Sequence, residues 1–415
     1  MKKLISLMVI IAFFAACNPT GKISNQDISF IYDQGVSFIH PEFIVYHSAD
    51  SSSTVFVKIN STELLYVKPV NKNKYNANFS IAYTLLSSYD SKELLDSSII
   101  NYTDTSYYSH RGNIIIHFDV KVHYQKNYIL KVVISDLNRK HDCISYVAIN
   151  KNDKNERQNF LVLNTDSTVF FKNYISKDQQ IKVQYNDKSK KIIFVKHYSH
   201  LPYMAAPPYS ANLDKQPTFM HDSIFSLPLL NGQTPFFKLP RTGIYQFLTD
   251  TSQANGLTVC RFYNDFPAIT TPEQMLSCLR YLTSRTEFEK MNLVKDKKQS
   301  VDDFWLENGG NPNRAKELVK RFYTRVEEAN RYFTSYVEGW KTDRGMIYIV
   351  YGLPNVVYRS EYSEVWIYGE PNHILSIYYT FSFENKSPFS DNSFILSRST
   401  AYKENWFRTL SSWRK

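Results

Sequence analysis

Near the end of this 415-residue chain, Asp343, Arg344 and Glu364 are the side chains best suited to do chemistry. Two carboxylates are the minimum for hydrolysing a glycosidic bond. Asp343 with Glu364, or with Glu361, supplies such a pair beside an aromatic ring, Trp340. In that reading Asp343 and Arg344 are exposed, and the acid, the base and the ring form a hydrolase site. A plainer reading gives every residue a structural task. Gly339 closes the preceding helix in the left-handed conformation, and Trp340 folds over the helix end. Thr342 and Asp343 bond nearby backbone N–H groups in an Asx-type turn that aims the chain into a strand. Arg344 pairs with Asp343 or Glu364. Local turn chemistry accounts for each residue type, so Asp343 and Glu364 are candidates and no catalytic residue is assigned. A third reading makes Trp340 and Tyr368 part of a binding surface.

Other reactive residues are dispersed. No GxSxG, HExxH, P-loop or GxGxxG motif occurs. His117 and His123 sit on a strand pattern as solvent-side residues, and His197 and His200 have no third ligand near. No metal and no cofactor are expected. Besides Cys17, the cysteines are Cys143, Cys260 and Cys278, without CxxC spacing. One disulfide fits an oxidising compartment, with Cys260–Cys278 the favoured pair; free buried thiols fit equally well.

Cys17 belongs to a different chemistry. Lys2 and Lys3 precede an apolar run, residues 4–14, and Ala15-Ala16-Cys17 follows. This is a signal peptide with small residues at its cut site, too short to span a bilayer comfortably. The end resembles a bacterial lipobox with Phe14 in place of the usual Leu, which makes Cys17 the lipidated N-terminus. Each buried methylene contributes about 0.8 kcal/mol, so two or more acyl chains hold firmly.

The net charge of +10 becomes +8 once Lys2 and Lys3 leave with the signal. Its lysines are scattered, with no Arg-rich stripe, so no nucleic-acid partner is expected; anionic headgroups or an acidic protein suit the charge better. Aromatics reach 15%, with 31 Tyr. Lys, Asn and Ile are rich alongside them, which points to an AT-rich genome rather than to sugar stacking.

These residues need elements to hold them, and the length suggests about two to four domains. Residues 18–26 read as a tether. Between 27 and 150, apolar residues fall on alternate positions, as in residues 117–124, and about seven strands suggest an immunoglobulin-like sandwich. Residues 151–267 read as a second β-sandwich, including a strand at 169–171 and a hairpin around residues 249–256. Texture changes in 268–415. Thr271-Pro272-Glu273 starts a helix, Ser300 and Asp303 resemble a capping box, and residues 313–336 form a long amphipathic helix. Glu317–Arg321 and Glu327–Arg331 on it are i,i+4 pairs. Strands follow at 346–351, 356–359, 364–368 and 375–383, with residues 351–355 as a turn between strands, and a short helix at 401–413. The fold class is therefore multidomain: two all-β immunoglobulin-like sandwiches, then an α+β C-terminal domain.

The run Gly339-Trp340-Lys341-Thr342-Asp343, continued by Arg344-Gly345 and by Tyr351-Gly352-Leu353-Pro354, resembles the GWxTD domain of bacterial envelope proteins, notably of the Bacteroidetes type. The resemblance runs from Pro272 onward and makes Gly339, Trp340, Thr342, Asp343, Arg344 and Gly345 the motif and interaction residues. It implies a location more than an activity. Asn18 and its neighbours carry no acidic cluster, which favours the periplasmic face of the outer membrane. The expected function is binding or scaffolding in an envelope protein complex, anchored to outer-membrane lipid through Cys17. An envelope glycan or peptidoglycan hydrolase and a surface glycan-binding lipoprotein are the alternatives.

Overall fold

The computed structural model describes residues 22–33, 35, 38–70, 72–106, 112–199, 203–211, 219–383, 387–390 and 392–414. Cys17, the signal segment and the start of the tether lie outside these residues, as does His200.

Alternating burial builds the first sandwich. Its strands are β1 (Glu42–Ala49), β2 (Ser52–Asn60), β3 (Tyr75–Leu86), β4 (Leu94–Ser106), β5 (Asn113–Lys121), β6 (Lys126–Asp136) and β7 (His141–Lys151). They form two antiparallel sheets, β1-β2-β5 and β4-β3-β6-β7. Val55, Val57 and Val120 from one sheet face Phe79, Ile81, Val132 and Ile134 from the other, the two-layer core of an immunoglobulin-like fold.

The second sandwich has β8 (Phe160–Leu163), β9 (Gln180–Tyr185), β10 (Ile192–Tyr198), β11 (Ser223–Pro228), β12 (Phe237–Lys238), β13 (Gly243–Leu248) and β14 (Leu257–Arg261). Sheets β11-β10-β13-β14 and β12-β9-β8 close over Val162, Ile181, Val183, Val195 and Phe247. The expected hairpin is β13–β14, with Phe247 opposite Leu257. No strand forms at 169–171; Val169 makes only a single bridge to Leu163.

The last unit starts with α1 (Pro272–Cys278), α2 (Arg285–Leu293), α3 (Lys297–Gly309), α4 (Pro312–Tyr332) and α5 (Asp343–Tyr351). The antiparallel sheet β15 (Val356–Arg359), β16 (Ser363–Tyr368), β17 (Ile377–Phe383) and β18 (Phe394–Leu396) follows, and α6 (Tyr402–Trp413) ends the chain. Thr271 and Gln274 make a full capping box on α1. Helix α3 starts a turn earlier than expected, because Asp296 rather than Ser300 caps it, accepting from the Gln299 N–H at 3.1 Å. On α4, Leu318, Phe322, Val326 and Ala329 form the buried stripe. The two expected i,i+4 ion pairs on α4 are replaced. Arg321 stacks on the Trp413 ring at 4.3 Å, and Glu327 accepts from the Ile269 N–H at 3.2 Å.

Residues 346–351, read as a strand, are helical. Met346, Ile347, Tyr348, Ile349 and Val350 are all buried, so this stretch of α5 is enclosed on every side, and the alternation in its sequence carries no register information. Burial on all sides suits a central helix, and it outweighs the weak strand preference of its branched residues. Gly352 accordingly ends a helix rather than joining two strands. Its φ is +89°, and its N–H bonds the Tyr348 carbonyl at 2.7 Å.

The three units are joined by apolar clusters. Ile44 and Tyr46 of β1 pack on Leu161 and Leu163 of β8. Tyr198, Ile244 and Cys260 of the second sandwich pack on Tyr336, Val337 and Phe389 of the last unit. The segment read as a tether is itself packed where it is described: Ile23 is buried with Leu86 and Tyr89, and the Ser24 N–H bonds the Tyr89 carbonyl at 3.2 Å. Ile28 and Tyr32, read as the start of the first sandwich, enter the core of the last unit instead. The Ile28 N–H bonds the Val357 carbonyl at 2.9 Å, so this strap continues the edge of β15.

Candidate functional site

The motif lies at the crossing of α4 and α5. Helix α4 is capped at Phe333, so Gly339 does not end it; Gly339–Lys341 is a separate turn of 3-10 helix. Glycine is required at 339 by space, since a Cβ would collide with the Ala329 carbonyl of α4. A Cβ on Gly345 would collide with the Gly339 carbonyl. The two glycines therefore let three backbone segments touch. Side chains then satisfy the backbone groups this contact buries. The Gly339 N–H donates to Thr334 Oγ1 at 3.0 Å, and the Trp340 N–H to Asn330 Oδ1 at 3.1 Å. Tyr281 donates to the Trp340 carbonyl at 3.0 Å. Thr342 caps α5: its Oγ1 accepts from the Gly345 N–H at 3.0 Å and donates to the Gly339 carbonyl at 2.7 Å.

Asp343 and Arg344 are not exposed. Their relative exposures are 0% and 2%, and Glu364 is also at 0%. Asp343 and Arg344 do not pair with each other. Asp343 is held by both terminal nitrogens of Arg398 and accepts from the Leu396 N–H at 2.8 Å. Arg344 reaches Glu364 Oε2 at 3.4 Å and the Asn392 carbonyl at 2.9 Å, with its guanidinium 4.2 Å from the Phe394 ring. Glu364 Oε1 accepts from Tyr32 and from Trp366 Nε1, each at 2.6 Å, while Arg359 stands 3.6 Å from Oε2. The two carboxylates thus belong to separate ion pairs, each satisfied within the fold.

Burial raises the Asp343 carboxyl above its usual range, and Arg398 with the Leu396 N–H offsets only part of that rise. Burial also pushes Glu364 up. There Arg359 and Arg344, with the Tyr32 and Trp366 hydrogen bonds, win, and the carboxyl ends below its usual range. It stays ionised inside the core. A glycosidase acid and base must reach substrate, and neither carboxyl has surface to do so.

Trp340, a platform only in the hydrolase and binding-surface readings, has 5% of its surface exposed. Its ring meets Tyr281 edge-on at 6.1 Å. What surface it keeps faces a hollow of about 360 Å3, shared with Ile269, Arg280, Phe288, Glu338 and Lys341. Tyr368 is spent elsewhere, donating to the Gly352 carbonyl at 2.8 Å.

The favoured disulfide is not formed: Cys143, Cys260 and Cys278 are free thiols. Cys260 and Cys278 have no exposed surface, and burial pushes both thiols up, so neither is a nucleophile at neutral pH. His197 is spent within its own sandwich, its Nε2 donating to the Thr242 carbonyl at 3.0 Å. Among the described residues, no three His, Cys, Asp or Glu side chains are grouped to hold a metal.

Tyr32, Asn330, Asn392 and Arg398 complete the site, and reading the sequence missed all four. Asn330 alone carried a signal, being a polar residue on the apolar stripe of α4, where it is fully buried.

Comparison with known proteins gives one family. Residues 243–415 match the model of the GWxTD domain. The match opens at β13, inside the second sandwich. No curated protein matches the chain. Among solved structures, red sea bream transglutaminase aligns at 11% identity and a TM-score of 0.18, covering 54% of this chain. The aligned part spans 31% of that protein, and a likeness at this score carries no argument about fold or activity.

Proposed function

The chain carries a GWxTD domain over residues 243–415, and on that premise we propose that it is an outer-membrane-anchored periplasmic lipoprotein that binds and scaffolds partner proteins in an envelope complex. One observation carries this reading. The charged groups of the motif are consumed inside the fold, Asp343 by Arg398 and Arg344 by Glu364 and Asn392, which suits a device for shape rather than for turnover. The apolar clusters between units give the reading mechanical sense, because they hold three units as one arm. The anchor rests on the charged, apolar and small-residue order of the first seventeen residues, ending at Cys17. The net charge left after signal removal suits an acidic partner or headgroup.

The test uses the tagged full chain in its own cells. Gentle detergent extraction and mass spectrometry should recover a stoichiometric envelope protein, and labelled palmitate should enter the wild type but not Cys17→Ser. A chain that extracts alone, unlabelled, into the soluble fraction would sink both the anchor and the scaffold.

A further inference from the structure

The hollow beside Trp340 joins an apolar wall to an uncompensated cation. Ile269, Phe288 and the small exposed part of Trp340 supply the wall. Lys341 is neutralised by Glu338 at 2.8 Å. Arg280 is not: its guanidinium lies 5.1 Å from the Phe288 ring centroid, and among the described residues it closes no ion pair. A guanidinium over an aromatic ring can still turn its N–H edge to a carboxylate and take it through two parallel hydrogen bonds. The volume, about 360 Å3, falls within the usual range of small-ligand pockets. The backbone under it is fixed, since the Trp340 carbonyl is held by Tyr281 and the Trp340 N–H by Asn330.

We propose that this hollow captures the carboxyl-terminal end of a partner polypeptide, with the terminal carboxylate on Arg280 and an apolar last side chain against Phe288 and Trp340. The inference rests on the scaffold reading for the existence of a protein partner. It gives the motif's tryptophan a second task besides packing. Charge decides the polarity of the ligand: with Lys341 and Glu338 cancelling, Arg280 leaves the pocket one positive charge, which favours a carboxylate end over an amine or a neutral amide.

The experiment measures fluorescence anisotropy of labelled hexapeptide pools, random at five positions and ending in Leu, Phe or Tyr, on the purified full chain. The free-acid pool should bind at least tenfold more tightly than the same pool amidated at its C-terminus. Arg280→Gln should abolish that difference, and Arg280→Lys should restore part of it. Equal binding of acid and amide pools, or a difference that survives Arg280→Gln, overturns the proposal. So does 3-phenylpropionate displacing the peptides at their own concentration, because the site would then serve small free acids. If Arg280→Gln leaves co-purified partners unchanged, the scaffold stands and the pocket falls. If the wild type has no partner at all, the scaffold reading falls separately.

Discussion

Asp343 shows how one residue can look like a catalyst and act as a keystone. Its carboxylate is fully buried, and Arg398 answers it with two nitrogens. Replacing both members of such a pair by apolar groups can be nearly neutral. Removing one strands the other charge in the core, which typically costs about 3–5 kcal/mol. Asp343→Asn should therefore lower the unfolding free energy by about 3 kcal/mol or more, read as a shift of the urea midpoint. Thr342→Ala, which removes the α5 cap and the bond to the Gly339 carbonyl but strands no charge, should cost about 1–2 kcal/mol. An Asp343→Asn chain as stable as the wild type would sink this account and return Asp343 to the list of catalytic candidates.

Among the elements, the strap before the first sandwich has the longest reach. It bonds the edge of β15 through Ile28, and Asp27 adds a side-chain bond, accepting from the Val357 N–H at 2.9 Å. Tyr32 then lies among Tyr332, Phe333 and Trp366 with its hydroxyl on Glu364. Hydrogen bonds to charged groups are worth about 1.5–3 kcal/mol. Tyr32→Phe keeps the ring contacts and loses the donor, so stability should fall by about 1.5–3 kcal/mol. The loss should largely vanish in a Glu364→Gln background, where no buried carboxylate needs the hydroxyl. A double-mutant cycle with no coupling between positions 32 and 364 would show that the strap is packed but energetically idle. If Cys17 carries lipid, the strap ties the anchor both to the first sandwich, through Ile23 and Ser24, and to the α+β unit, through Ile28 and Tyr32.

At the scale of the whole molecule, apolar contacts between units decide behaviour. Beads on a string would unfold one by one, but here Ile44 and Tyr46 join the two sandwiches, and Ile244 joins the second to Val337 and Phe389. The family match itself cuts through a sheet: it takes in β13 and β14 and omits β10, to which β13 is hydrogen-bonded. The matched region thus carries the face by which the last unit holds the second sandwich. Calorimetry on the chain from residue 22 should show one coupled transition, and Ile44→Asp should split off an earlier one for the first sandwich. Separate transitions already present in the wild type would show that the interfaces are too weak to couple the units.

What the residues alone determined is what neighbours in sequence can settle. Alternation placed strands in both sandwiches, though not the one expected at 169–171, because a sheet with one buried face needs an apolar side chain at every second position. Thr271-Pro272 placed the start of α1 through a capping box closed within four residues. The motif's glycines and Thr342 hold backbone together, but not in the places local turn chemistry suggests: Gly339 does not end α4, and the turn opens a helix and not a strand. Tertiary structure decided the rest. Residues 346–351 carry no local mark of helix; they are helical because α5 is enclosed on all sides, and enclosure is not a property of a short window. Asp343 meets Arg398 across 55 positions and Glu364 meets Tyr32 across 332. No period or spacing records contacts that distant. A buried charge is legible only together with the partners that offset its burial, and here the charged partners, Arg398 for Asp343 and Arg344 with Arg359 for Glu364, come from elsewhere in the fold.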